Sequence, residues 1–199
     1  MKEAEVIYAN SSTALNNIKY ISGFTAPDPF LFVWLPFADH KKGILIVSEM
    51  EKGRAQKVTK SFFDVYTPTE IVGKKGHHSF ATQLYFLAKK FHIRKYGCSF
   101  DFPVAIVKEL EKKGIPFKIR ESFISSKRRL KSKTEIEQIK YVQQAATKAM
   151  RKAIGLIRTS TIGQKNYLYI NKKKLTSEMV KLEAQKELLK FNCTCEDII

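Results

Sequence analysis

FLFVWLPFADHKKGILIVSEM, residues 30–50, holds two β-branched and aromatic runs, FLFVWLPF (30–37) and GILIVSEM (43–50), separated by ADHKKG. The Asp, Lys and Gly between the runs suit a reversal, so the pair reads as an antiparallel hairpin. FLFVWL is apolar at successive rather than alternate positions, so both of its faces must be covered, and that requires helices over a sheet. Working outward, strands are expected near 4–9 (AEVIYA), 62–66 (FFDVY), 93–98 and 116–120. HHSFATQLYFLAKKFHI (77–93) places Phe80, Leu84, Leu87 and Phe91 at helical spacing. In DFPVAIVKELEKKGI (101–115), Asp101 is the expected N-cap, with Pro103 in the first turn, Val107 and Leu110 on the inner face, and Gly114 as the stop. The expected fold is α/β: a mixed sheet of about six strands flanked by helices. No GxGxxG or GxxxxGK[ST] loop follows any strand, which argues against a dinucleotide or P-loop phosphate site.

Composition changes at SSKRRLKSK (125–133), a basic, apolar-poor stretch read as a linker after an α/β domain at 1–124. Residues 134–199 are then helical. Ser132 or Thr134 caps a long helix with Glu135 and Glu137 in its first turn, where the helix dipole favours carboxylates. Ile136, Ile139, Val142, Ala146, Ala149 and Ile154 form a stripe that demands an apolar partner. TSTIGQKNYLYINKKK (159–174) breaks the helix, and LTSEMVKLEAQKELLKF (175–191) makes a second one with Met179, Leu182, Leu188 and Phe191 as core positions. At about 25 cal/mol per Å² of apolar area, two such helices barely offset their own ordering entropy.

The composition is that of an ordinary globular protein, with 44% hydrophobic and 28% charged residues. Three cysteines, Cys98, Cys193 and Cys195, give no disulfide framework and suit a reducing cytoplasm. No signal peptide or membrane-spanning run is apparent. The net charge of +17 divides as 19 Lys/Arg against 11 Asp/Glu up to residue 120 and 17 against 8 after it. That spread fits a lysine-rich surface as well as a polyanion ligand, and the absence of a reading motif or of aromatics interleaved with basic runs counts against nucleic acid.

NIKYISGF (17–24), ILIVSEMEKGRA (44–55) and RRLKSKTEIEQIKYVQQAATKAM (128–150), in this order, resemble the Xaa-Pro aminopeptidase, prolidase and creatinase family of metallopeptidases over nearly the whole chain. The resemblance implies an N-terminal α/β domain ahead of a catalytic domain of pita-bread fold. There, two aspartates, a histidine and two glutamates hold a pair of divalent metals, such as manganese, for hydrolysis of the bond before proline. In that family the ligands lie beyond the two opening helices. FNCTCEDII (191–199) resembles the entry to the first catalytic-domain strand, so residues 1–199 carry no expected catalytic residue, metal ligand or cofactor of their own.

The residues agree. His40, His77, His78 and His92 offer no metal spacing, and His77 and His78 are adjacent loop histidines. Cys193 and Cys195 read as same-side strand positions. No G-x-S-x-G nucleophile is present. What the resemblance leaves is a supporting part: homo-oligomer contacts through the N-terminal domain and residues at a pocket rim or subunit contact, here Asn17 and Tyr20. Asn17 stands where some aminopeptidases carry an aspartate, leaving a neutral hydrogen bond; its ordinary reading is a loop or cap residue. Tyr20 and Phe24 read more readily as core aromatics under the sheet than as ligand contacts. A peptide substrate would belong to a full-length relative. The competing reading is a catalytically dead basic module that binds nucleic acid or an acidic partner.

Overall fold

The computed structural model describes residues 2–40 and 42–195. The chain divides into two compact units between Leu130 and Lys131.

The first unit is a six-stranded mixed sheet with helices on both faces. Its strands are β1 (Glu3–Ala9), β2 (Phe30–Trp34), β3 (Gly43–Ile46), β4 (Phe63–Tyr66), β5 (Lys95–Cys98) and β6 (Phe117–Ile119), in the order β4-β3-β2-β1-β5-β6. β1 and β2 pair antiparallel, as do β2 and β3, with Leu31 opposite Ile46 and Val33 opposite Ile44. The other neighbours are parallel. The expected hairpin and fold class are therefore the observed ones.

The unbroken apolar run of β2 has the expected cause. Leu31 and Val33 face one core and Phe30 and Phe32 the other, and all four are buried. The first core joins them to Ala81, Leu84, Leu87 and Ala88 of α4 (Phe80–Phe91) and to Ile106 and Leu110 of α5 (Val104–Lys112). The second holds Ala14, Ile18 and Ile21 of α1 (Ser12–Ser22), Ala55 of α2 (Glu49–Val58) and Ile124 of α6 (Phe123–Arg129). A short helix, α3 (Pro68–Val72), precedes α4 and starts with a capping box in which Thr67 and Glu70 satisfy each other's backbone N–H groups. The hydroxyl of buried Tyr96 on β5 donates to the Leu84 carbonyl at 2.9 Å, tying sheet to helix. Burial holds that phenol far above its usual pKa.

Two local expectations change. Asp101 does not cap α5: the N-cap is Pro103, and Asp101 accepts from the Ser99 hydroxyl in the preceding turn. Pro103 disfavours helical geometry at the residue before it, Phe102, so the helix cannot run back to Asp101 and starts at Val104. Residues 125–129, read as linker, are helix α6, anchored by buried Ile124 and capped by Ser122.

The second unit starts with α7 (Lys133–Arg158), whose N-cap Ser132 forms a capping box with Glu135. A small antiparallel sheet follows, β7 (Thr161–Ile162), β8 (Leu168–Ile170) and β9 (Lys173–Lys174), where the sequence suggested only a break. α8 (Ser177–Leu189) is capped by Thr176 and packs along α7. The Tyr141 hydroxyl donates to the Phe191 carbonyl at 3.0 Å, and Lys148 lies over the Phe191 ring.

The buried seam of α7 is Ala145 and Ala149, four residues apart. Small side chains let α8 approach closely. Of the expected stripe only Ala149 is buried; Ile136, Ile139, Val142 and Ile154 are between 41% and 54% exposed. α8 has no fully buried residue, and its Leu182 is exposed.

Candidate functional site

The NIKYISGF stretch forms the second half of α1 and its exit. Ile18 and Ile21 enter the core; Gly23 takes φ +82 to end the helix, and buried Phe24 folds beneath, edge-on to Phe30 and under the Arg54 guanidinium. Most of the motif therefore builds structure.

Asn17 sits mid-helix on the inner side of α1 and is buried, so it is neither a loop nor a cap residue. Its carboxamide oxygen accepts from Arg128 Nη1 at 2.6 Å, and its nitrogen donates to Ser125 Oγ at 3.4 Å. Both partners lie on α6, so Asn17 clamps α6 to α1 and keeps one amide hydrogen to spare. Tyr20, three residues on, is 40% exposed, so it is not a core aromatic under the sheet, whereas Phe24 is. The structure does not bring Asn17 and Tyr20 together into one site.

Beside Asn17 lies a crevice of about 250 Å³, beyond the carboxyl ends of β1, β5 and β6, walled by Thr13, Phe100, Asp101, Arg120 and Ser122 among others. In open α/β sheets this end of the strands is where ligands bind. The charges here are already matched. Buried Glu5 accepts from Ser122 Oγ at 2.5 Å and from the Phe123 N–H at 3.4 Å; Arg120 pairs with Glu3 at 2.8 Å and reaches Glu5 at 3.8 Å. Arg129 holds Glu121 with both carboxylate oxygens near 3 Å. These groups fasten β1, β6 and α6 together rather than reaching for a substrate. Sequence reading did not find this cluster, because Glu5 and Ser122 lie 117 residues apart and neither belongs to a motif.

A metal centre of the kind the resemblance implies does not fit these residues. Among the described residues no three His, Cys, Asp or Glu side chains converge to hold an ion. His78 Nε2 donates to the Gly73 carbonyl, 2.8 Å away in the loop before α4, and His92 is the left-handed C-cap of α4. Cys98 is buried on β5, and burial, followed by the charge of Asp101, pushes its thiol up to about 11, which keeps it a protonated thiol at neutral pH. Cys193 and Cys195 are not on a strand: they follow the turn that ends α8, and Cys193 Sγ donates to the Phe191 carbonyl at 3.4 Å. The rest of the expected catalytic-domain strand, 196–199, lies outside the described residues. No helix among the described residues is long and apolar enough to cross a membrane.

No family model matches the chain, and no curated protein does. Solved structures do. Prolidase from Pyrococcus furiosus matches with TM-score 0.62 at 19% identity, over 94% of this chain and 45% of its own. Xaa-Pro dipeptidase from Bacillus anthracis matches with TM-score 0.67 at 15% identity, over 95% and 44%. X-Pro aminopeptidase from Thermotoga maritima MSB8 matches with TM-score 0.64 at 16% identity, over 96% and 47%. The chain thus spans under half the length of each of these three structures, and at these identities the likeness carries the fold, the one the sequence resemblance implied.

Proposed function

We propose that the chain is the non-catalytic N-terminal portion of an Xaa-Pro aminopeptidase- or dipeptidase-like metallopeptidase: an α/β domain followed by the opening helices of the catalytic domain. The observation that carries this reading is the likeness to three solved Xaa-Pro peptidases across 94–96% of this chain but only 44–47% of theirs. Two features support it. The residues described do not fit a metal centre, so hydrolysis would belong to chain outside them. The second unit also exposes Ile136, Ile139, Met150, Ile154 and Ile157 of α7, an apolar stripe that a larger catalytic domain would bury.

In this reading the first unit serves subunit contact and pocket shaping. Tyr20, exposed on α1, is the residue offered to a neighbouring subunit or a pocket rim; Asn17 acts through α6, which it positions. The first experiment is an assay of a protein carrying residues 1–199 and the remainder of its reading frame, loaded with manganese, on a peptide with proline second. Release of the N-terminal residue is expected, and a folded, metal-loaded protein without turnover overturns the reading. Size measurement of the same protein tests the subunit contact: a dimer weakened at least tenfold by Tyr20→Ala is expected, and a monomer refutes it.

A further inference from the structure

The +17 charge is spread along the sequence, but YLYINKKK (167–174) does set aromatics beside a basic run, contrary to the expectation above, and the second unit folds it into one small sheet. From Arg158 to Ser177 the chain has five Lys/Arg and no Asp or Glu, whereas the whole chain has 36 against 19. Four of the five, Lys165, Lys172, Lys173 and Lys174, lie on or between β7, β8 and β9. Asn171 and Lys172, both at positive φ, make the two-residue reversal that turns β8 back as β9 and sets these lysines next to β8.

Strand register then sorts the side chains. Tyr169 pairs with Thr161 on one side and Lys174 on the other, and residues two apart share a face, so Tyr167, Tyr169 and Lys174 lie together. The Lys174 ammonium sits 3.3 Å from the centre of the Tyr167 ring. On the inner edge of this face a Cβ at Gly163 would collide with the Tyr169 ring, so that ring lies flat on the strand. Tyr167 is 45% exposed, the residues of β7 and β9 are exposed, and Tyr169 on β8 is partly buried. Gln164 and Asn166 in the β7–β8 connection and Asn171 in the β8–β9 reversal bring carboxamides, which both donate and accept.

We propose that this face of the β7–β9 sheet is a binding surface for single-stranded nucleic acid. Aromatic rings on an open sheet, ringed by lysines, let bases stack while phosphates meet ammonium groups, and stacking needs no particular base. The spacing selects single strands: Tyr167 and Tyr169 are about 6.8 Å apart along the strand, near twice the ~3.4 Å between stacked bases of a duplex, so the two rings accept splayed bases. A lipid surface fits less well, because the face presents tyrosines and lysines, with no cluster of Trp, Phe or Leu to enter the acyl boundary. The inference is independent of the peptidase reading, since it uses only residues 158–177.

The test is fluorescence anisotropy on the full 199-residue chain with a labelled 16-nucleotide mixed-sequence RNA. The same RNA as a duplex, phosphatidylserine vesicles and polyglutamate are the comparison probes. Single-stranded RNA is expected to bind at least fivefold tighter than duplex and to weaken steeply with salt. Reversing Lys172, Lys173 and Lys174 to Glu is expected to weaken it at least tenfold. The same charge change in the first unit, Lys74→Glu, Lys75→Glu and Lys108→Glu, is expected to weaken it less than threefold. Tyr167→Ala is expected to lose several-fold on single strands only, with Tyr167→Phe restoring it. Equal loss from both lysine triples, equal binding of vesicles or polyglutamate, or an inert Tyr167→Ala overturns the proposal.

Discussion

Gly97 on β5 is occupied from outside: a Cβ built there lies 2.7 Å from Arg120 Cζ and 2.8 Å from Nη2, and closer still to Nε. The guanidinium lies flat on that strand while it pairs with Glu3 and reaches Glu5. Gly97→Ala must therefore push Arg120 off. The Glu3 pair, with both side chains about one-third exposed, contributes at most about 1 kcal/mol. Glu5 is different: its side chain is 5% exposed, and losing the nearby cation leaves a buried carboxylate with two neutral donors, at about 1.5–2 kcal/mol. Against this, replacing glycine in a strand gains ~0.5–1 kcal/mol. The net expected loss is about 1.5–2 kcal/mol. In an Arg120→Ala background the collision is gone, and Gly97→Ala becomes neutral or stabilising by up to about 1 kcal/mol. Urea unfolding followed by Trp34, the only tryptophan and a residue of β2, reports on the first unit. Equal destabilisation by Gly97→Ala in both backgrounds would refute the reasoning.

Leu87→Ala, at a fully buried position of α4, is expected to lower unfolding free energy by about 2–5 kcal/mol by the same fluorescence assay, through lost transfer energy and the cavity left behind. Ser132→Ala removes half of the α7 capping box and should cost about 1 kcal/mol of second-unit stability, read by helical circular dichroism on heating. Ile139→Lys, at an exposed stripe position, should change stability by under ~0.5 kcal/mol while reducing self-association in light scattering. The Lys52 hydrogen bond, then the Thr67 N–H, holds the Glu70 carboxyl below its usual pKa; a lowered folded value stabilises above the unfolded pKa of ~4.3 and is lost as pH falls through the folded one. Protection factors of the amides from Thr69 to Val72, with exchange corrected for its intrinsic pH dependence, should therefore fall below about pH 4 and stay flat between pH 5 and 7.

Six strands were legible because β2 and β3 are apolar at successive positions, a pattern that only two-sided burial explains. Helix α2 was not, since it buries Ala55 alone and its ten residues carry no stripe. In α7 two apolar stripes run along one helix, and periodicity cannot say which of them meets the neighbour: the alanine seam does, and the larger isoleucines stay outside. The β7–β9 sheet escaped because its strands are two or three residues long and bury no core, so no alternation develops. Asn17 was found by its place in a motif, but its partners on α6 are more than 100 residues away, and only the fold joins them.

The central claim is that hydrolytic chemistry lies outside these residues. The direct measurement is native mass spectrometry and peptide cleavage on the purified 199-residue chain incubated with manganese and an Xaa-Pro peptide. The account predicts no stoichiometric metal and no cleavage above the metal-only blank. A tightly held pair of ions, or turnover that follows the protein through purification, would contradict it.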